Sequence, residues 1–212
     1  MVSEYRALIA KVEAFTEATF QRRRSDFRCS EGCAACCHTW LTVSAVEADE
    51  VRAALAALPP EKRVDVRQRG QRELARAANE ANDPRCAMLD AGDRCSIYDA
   101  RPLVCRTQGH ALRYPFGLIP SDAIARRTDK GDLTWCPLNY DAAEPRAEDV
   151  LDAERVDQIL AVVAARHAVA HGTDREARFG LSTLAAETDV LHDDTARHGH
   201  STSTRDEQQD HD

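Results

Sequence analysis

Hydrophobic residues recur at helical spacing in four stretches of this chain, with charged residues between them. A period near 3.6 residues is typical of amphipathic helices. Ser44-Ala-Val-Glu47 is a capping box that opens the second stretch. Pro59-Pro60 ends that stretch, and Pro60 can also occupy the first turn of the third. The pattern predicts helices over about residues 3–24, 44–58, 61–81 and 147–170.

The periodicity fails between Asn82 and Tyr140, where proline and glycine interrupt the chain repeatedly. We expect an irregular segment there, with short strands around Cys86–Leu89 and Ser96–Tyr98 at most. Such a long irregular stretch inside a compact domain needs another source of order. Four of the eight cysteines lie in it, so the sequence indicates metal ligation as that source.

After Leu191 no Val, Ile, Leu, Met, Phe or Trp remains in the chain. Such a segment cannot bury enough apolar area to fold. We therefore predict a cysteine-cluster metal-binding domain over residues 1–172, with its cysteine-rich core at 29–140. A polar, largely disordered tail is predicted over 173–212. The expected fold class is mainly α, with helices packed around an irregular cysteine-rich metal-binding core.

Charge and hydropathy exclude several classes of partner. Charged residues make up 30% of the chain and its formal net charge is −8, which argues against nucleic acid as a partner. Charges interrupt the N-terminal residues, so we expect no secretory signal. No run approaches the roughly 18 apolar residues of a membrane helix. We expect a cytoplasmic protein that does not bind membranes, and the sequence predicts no particular protein partner.

The densest chemistry lies in Cys29-Ser-Glu-Gly-Cys33-Ala-Ala-Cys36-Cys37, where four thiols fall within nine residues. In a reducing cytosol such clustering favours metal binding over disulfides. Thiolates bind zinc or iron, and iron–sulfur clusters are also held by cysteine. Catalytic residues are not predicted. The predicted metal ligands are Cys29, Cys33, Cys36, Cys37, Cys86, Cys95, Cys105 and Cys136.

Eight thiols permit more than one arrangement. They could form two four-ligand sites, one cluster with spare thiols, or a binuclear site with bridging thiolates. Neighbouring side chains of an extended segment point to opposite sides. Cys36 and Cys37 therefore fit two adjacent centres, or one ligand and one reserve thiol, better than one shared ion. His38 could replace a cysteine, but eight thiols make this unnecessary.

Residues beside the cysteines allow two interpretations each. Arginines could donate hydrogen bonds to sulfur and offset its charge, or they could pair with carboxylates. We weigh these equally for Arg101 and Arg106 and favour carboxylate pairing or solvent exposure for Arg85 and Arg94. Tyr98 is expected to pack over the site rather than to take part in catalysis.

Four segments together resemble the YkgJ-type CxxCxxCC proteins, which are described as zinc- or iron-chelating. They are C-S-E-G-C-A-A-C-C, R-C-A-M-L, C-S-I-Y-D-A-R-P-L-V-C-R and W-C-P-L-N, within about residues 29–140. The family's name implies two residues between its first cysteines, whereas three separate Cys29 from Cys33. The resemblance implies metal chelation without an assigned reaction. The cysteine-rich segment is also similar to that of flagellin lysine-N-methylases, which implies an iron–sulfur enzyme of redox or methyl-transfer chemistry as the alternative. No glycine-rich loop after a strand supports a methyl-donor site.

Overall fold

The computed structural model describes residues 3–80 and 83–188. About half of the described residues are helical. The α-helices are α1 Glu4–Arg22, α2 Ala45–Ala56, α3 Pro60–Ala78, α4 Leu103–Thr107, α5 Ala153–His171 and α6 Leu181–Ala186. The strands are β1 Thr42–Ser44, β2 Ala111–Tyr114, β3 Arg126–Thr128, β4 Gly131–Thr134, β5 Val150–Asp152 and β6 Arg178–Gly180. Within the described residues, no helix combines the length and apolarity needed to cross a bilayer.

The four predicted helices are confirmed as α1, α2, α3 and α5, and local capping explains several of their ends. The fourth begins later than predicted, because residues 147–152 form a 3-10 turn and strand β5. The hydroxyl of Ser3 accepts a hydrogen bond from the N–H of Arg6 at the start of α1. The predicted capping box is present at the start of α2, where Ser44 N–H donates to Glu47 Oε2 over 2.9 Å. Gly172, with a φ of 64°, ends α5 in the left-handed conformation that glycine favours.

The segment expected to be irregular contains α4 and three strands, so the helices of the predicted fold are accompanied by sheet. Strands β2 to β5 form one sheet in the order β3-β4-β2-β5, with β2 antiparallel to β4 and parallel to β5. The parallel register pairs Leu112 with Leu151. A partner so far along the chain leaves no local pattern in strands of three or four residues. In place of the strands expected around Cys86–Leu89 and Ser96–Tyr98, the structure has an isolated β-bridge between Leu89 and Cys95.

Two hydrophobic clusters hold the helices. One combines residues of α2, α3 and α6 with the loop residues Ala87, Met88 and Ile97, and Cys86 and Cys95 pack against it. The other combines α1 and α5 with Val46 and Leu103. Burial of the loop residues therefore orders part of the cysteine-rich segment, in addition to any metal.

The packed part of the chain extends beyond the predicted boundary at residue 172. Strand β6 pairs with β1, with Phe179 opposite Val43, and α6 buries Leu181 and Leu184 at 4% and 2% exposure. Long-range contacts, rather than composition, order residues 178–186. The rest of the predicted tail, residues 189–212, lies outside the described residues.

Candidate metal centre

The first cysteine segment is a loop that follows α1 and turns back tightly. Gly32 has a φ of 86°, a conformation that glycine adopts at little cost. The N–H of Cys33 donates to the carbonyl oxygen of Ser30 over 3.0 Å. Residues Ala35–Cys37 then form one 3-10 turn. These two turns compact the four thiols of the segment into a small volume.

Two contacts join the first cysteine segment to the second. The N–H of Cys86 donates to the carbonyl oxygen of Cys37 over 2.9 Å. Glu73 on α3 is 8% exposed, and its Oε2 accepts from Trp40 Nε1 at 3.3 Å and from the N–H of Arg85 at 3.0 Å. Because Trp40 and Arg85 flank the two segments, one carboxylate positions both against α3.

Cys37, Cys86, Cys95 and Cys105 lie within electrostatic range of one another, and we call them the inner thiol set. Burial raises the pKa of Cys86 to about 11 and the pKa of Cys105 to about 12. Burial also raises the pKa of Cys95. Buried thiolates are unfavourable without a cation. A bound metal would supply that cation and displace the protons.

Cys29, Cys33, Cys36 and Cys136 form a second group, the outer thiol set. Burial is the main reason that the pKa of Cys29 is raised, and the charges of the other three thiols raise it further. Cys29, Cys33 and Cys36 are exposed, whereas Cys136 is half-buried. The outer thiol set therefore lies closer to solvent than the inner one.

Asn139 holds Cys29 in place and was not foreseen as a site residue. It is 2% exposed, and its Oδ1 accepts from the N–H of Arg28 at 2.9 Å. Its Nδ2 donates to the carbonyl of Gly109 at 2.8 Å and contacts Cys29 Sγ at 3.4 Å. A Cβ at Gly109 would lie 3.0 Å from the same sulfur. The available signal was the position of Asn139 three residues after Cys136, within the W-C-P-L-N segment.

The side chains of the adjacent pair Cys36 and Cys37 interact with each other. That interaction is the largest cause of a raised pKa at Cys36 and of a lowered pKa at Cys37. Cys36 also interacts electrostatically with Cys29 and with Cys105, so it lies between the two thiol sets.

These cysteines suit a metal because of the type of ligand atom that they offer and because they lie near one another. All eight cysteines are free thiols. Within residues 3–80 and 83–188, no three cysteine, histidine or carboxylate side chains are placed as direct ligands of one ion. The two sets nevertheless present four thiols each, and thiolate is the ligand type that zinc and iron–sulfur centres accept.

The charge of Arg101 reaches thiols of both sets. Its Nε donates to the carbonyl of Tyr98 at 2.9 Å, and its guanidinium lies 3.5 Å from the centre of the Tyr98 ring. Its positive charge lowers the pKa of Cys36, Cys95 and Cys105. Tyr98 is 59% exposed, so it supports this cation instead of covering the site as expected.

The other predicted arginines pair with carboxylates. Arg85 contacts Asp93, Arg94 contacts Glu31 at 2.9 Å, and Arg106 contacts Glu13. For Arg106 the structure therefore supports pairing with a carboxylate rather than hydrogen bonding to sulfur. His38 is exposed and lies within electrostatic range of Asp83, which leaves the thiols as the main donors.

A comparison with protein-family models matches residues 28–137 to the family described as "CxxCxxCC: Putative zinc- or iron-chelating domain". The match spans more than half of the chain and includes all eight cysteines. The chain belongs to this CxxCxxCC family. No curated protein and no solved structure matches the chain. In this CxxCxxCC domain the extra residue between Cys29 and Cys33 falls in the turn made by Gly32.

Proposed function

We propose that the chain is a zinc- or iron-chelating protein whose eight cysteines hold two adjoining centres, one in each thiol set. The observation that supports this most directly is the position of Cys37. It belongs to the first segment by sequence, but its thiol neighbours Cys86, Cys95 and Cys105 of the second segment. Family membership supports the same chemistry.

Four thiolates are a complete ligand set for structural zinc and for most iron–sulfur clusters. Two sets of four would use every cysteine of the chain. The adjacent Cys36 and Cys37 would then serve different centres, because Cys37 neighbours the thiols of Cys86, Cys95 and Cys105 whereas Cys36 also interacts with Cys29. Arg101 would offset part of the negative charge that four thiolates leave around a divalent ion.

The proposed role of the metal is to join the loop at residues 29–37 to the segment at residues 83–105. Few regular hydrogen bonds cross between them, and metal binding energy would add directly to folding energy. A reducing compartment keeps thiols available for this role, so we expect the cytoplasm. Nothing in the geometry assigns a substrate, and the methyl-transfer alternative has no further support.

The test is metal stoichiometry in protein purified without oxygen. Elemental analysis should give two metal equivalents in the wild type, where an equivalent is one zinc or one iron–sulfur cluster. Cys29→Ser should remove the outer equivalent, and Cys86→Ser should remove the inner one. Ser30→Ala lies in the same exposed loop and should keep both, because only its carbonyl hydrogen-bonds in the turn. A visible spectrum separates zinc, which is colourless, from an iron–sulfur cluster.

One metal equivalent in the wild type would contradict two centres and leave a single one. Complete loss of metal from both cysteine variants would favour one shared cluster. Absence of bound metal from the wild type after anaerobic purification and metal supplementation would contradict chelation itself.

A further inference from the structure

A second candidate site lies on the other side of α4. A cleft of about 740 Å³ opens between β1, α4, α5 and residues 175–178. Helix α4 contributes Leu103, Val104 and Thr107 to it, whereas Cys105 is not among the lining residues. This volume falls in the range of small-molecule sites, which are mostly apolar with a few placed polar groups.

The inner wall of the cleft is aliphatic. Leu112 and Leu151 reach it from paired strands, and Val156, Leu160 and Ala164 reach it from α5. These side chains are small or branched and carry no polar atoms. Such a wall fits a hydrocarbon chain better than a polar or highly charged ligand.

The polar end of the cleft carries one carboxylate with no bonding partner. No hydrogen bond or ion pair to Asp157 exists among residues 3–80 and 83–188. Asp157 is exposed at the mouth of the cleft, and partial desolvation by the cleft walls, followed by the charge of Glu47, raises the pKa of its carboxyl group. Arg178 opposes the shift, but it donates its hydrogen bonds to Thr42, including one of 2.8 Å to the carbonyl. Asp157 therefore has a cation within electrostatic range but no ion-pair partner among the described residues.

The remaining ionised groups of the cleft are already paired. Glu47 accepts hydrogen bonds from Ser44 N–H, from Ser44 Oγ and from Leu103 N–H. Arg175 and Glu176 form an ion pair of 3.7 Å. Among the charged residues that line the cleft, three carboxylates, Glu47, Asp157 and Glu176, therefore outnumber the two guanidinium groups of Arg175 and Arg178 by one. The cleft is complementary to a ligand with one positive charge and an apolar body.

We propose that this cleft binds a small aliphatic primary amine, with its chain along the wall of α5 and its ammonium group on Asp157. An ammonium group supplies three donors and one charge. Tyr114 lines the same end, and its phenol would contact the amine carbon beside the charge. The proposal does not depend on metal chelation, because the cleft contains no cysteine.

The experiment titrates the full chain, as purified, with n-octylamine, octan-1-ol and octanoate in a calorimeter. We expect saturable binding of one octylamine per chain. The affinities for octan-1-ol and octanoate should be lower by about tenfold or more. Asp157→Asn should weaken the affinity for octylamine by a similar factor and leave the affinity for octan-1-ol unchanged. Ala161→Phe should abolish binding of both, because Ala161 lines the cleft and is exposed, so the larger ring fills the cleft rather than the core.

Two variants on the same helix serve as matched controls. Glu154→Gln removes a carboxylate and Ala170→Phe adds a ring, and neither residue lines the cleft. Both should bind octylamine like the wild type. Metal content is measured in every sample, so loss of metal and loss of amine binding are read separately. Equal affinity for octylamine and octan-1-ol would overturn the proposal. So would an unchanged affinity in Asp157→Asn, or a wild type without saturable binding.

Discussion

Asn139 shows how one buried amide can position a thiol without ligating a metal. Its oxygen accepts from Arg28 N–H, and its nitrogen donates to Gly109 C=O in a buried hydrogen bond. The same amide nitrogen lies 3.4 Å from Cys29 Sγ. Groups that orient ligands in this way commonly affect metal affinity as strongly as some ligands do.

Asn139→Ala should weaken metal binding at the outer thiol set by about 10- to 100-fold. The reason is that Cys29 loses its positioning contact while the inner thiol set keeps its neighbours. Competition with a chelator of known affinity would measure this as the earlier release of one of two metal equivalents. Leu138→Ala is the matched control, since its side chain is 48% exposed and adjacent in sequence. Equal loss from both sets in Asn139→Ala would contradict the positioning role.

At the scale of elements, α3 and α6 pack against each other at short distance around Gly70. A Cβ built on Gly70 would lie 2.5 Å from the backbone nitrogen of Ala186 and 2.7 Å from the carbonyl oxygen of Ser182. Backbone atoms cannot move aside as a flexible side chain could. Gly70 therefore allows α6 to approach α3 and bury Leu184.

Gly70→Ala should destabilise the fold by about 1–3 kcal/mol, although alanine favours a helix by about 1 kcal/mol. The overpacking outweighs the propensity because the added methyl group meets backbone atoms. Urea denaturation would measure the free energy of unfolding. Gln71→Ala, on the exposed side of α3, should be close to neutral. Stabilisation by Gly70→Ala would show that α6 does not pack at this distance.

At the scale of the whole molecule, the cysteine-rich segment has two sources of order. Met88 and Leu89 are 1% and 2% exposed, and Glu73 ties Arg85 to α3 through a hydrogen bond of 3.0 Å. The thiols add proposed metal links to these protein contacts. Helices α1, α2, α3 and α5 pack through apolar side chains that do not require a metal.

Removal of metal by a chelator should therefore lower the melting temperature by several degrees and keep most of the helical signal. A ligand that binds only the folded state stabilises it by mass action, and its loss should loosen residues 83–105 first. Differential scanning calorimetry and far-ultraviolet circular dichroism would measure the two effects. The double variant Cys29→Ser/Cys86→Ser is the control, in which chelator should change nothing. An unchanged melting temperature in metal-loaded wild type would contradict a stabilising role.

The sequence by itself determined the features that depend on neighbours along the chain. Helical periodicity predicted α1, α2, α3 and α5, and the spacing of Ser44 and Glu47 predicted a cap, because both rest on contacts within a few residues. Cysteine spacing and the C-S-I-Y-x-x-R-P-x-x-C-R segment were enough to recognise the family. These signals are local, so they can be recognised without knowledge of the fold.

Only the tertiary structure decided which distant residues meet. It paired β2 with β5, extended the packed chain to α6, and divided the eight thiols between an inner and an outer set. It also placed the N–H of Leu103 where it donates a hydrogen bond to Glu47. In addition, it brought Glu73 and Asn139 next to the cysteine-containing segments. Each of these contacts joins segments many residues apart. The loop conformations and helix packing that bring such residues together leave no periodic trace in the sequence.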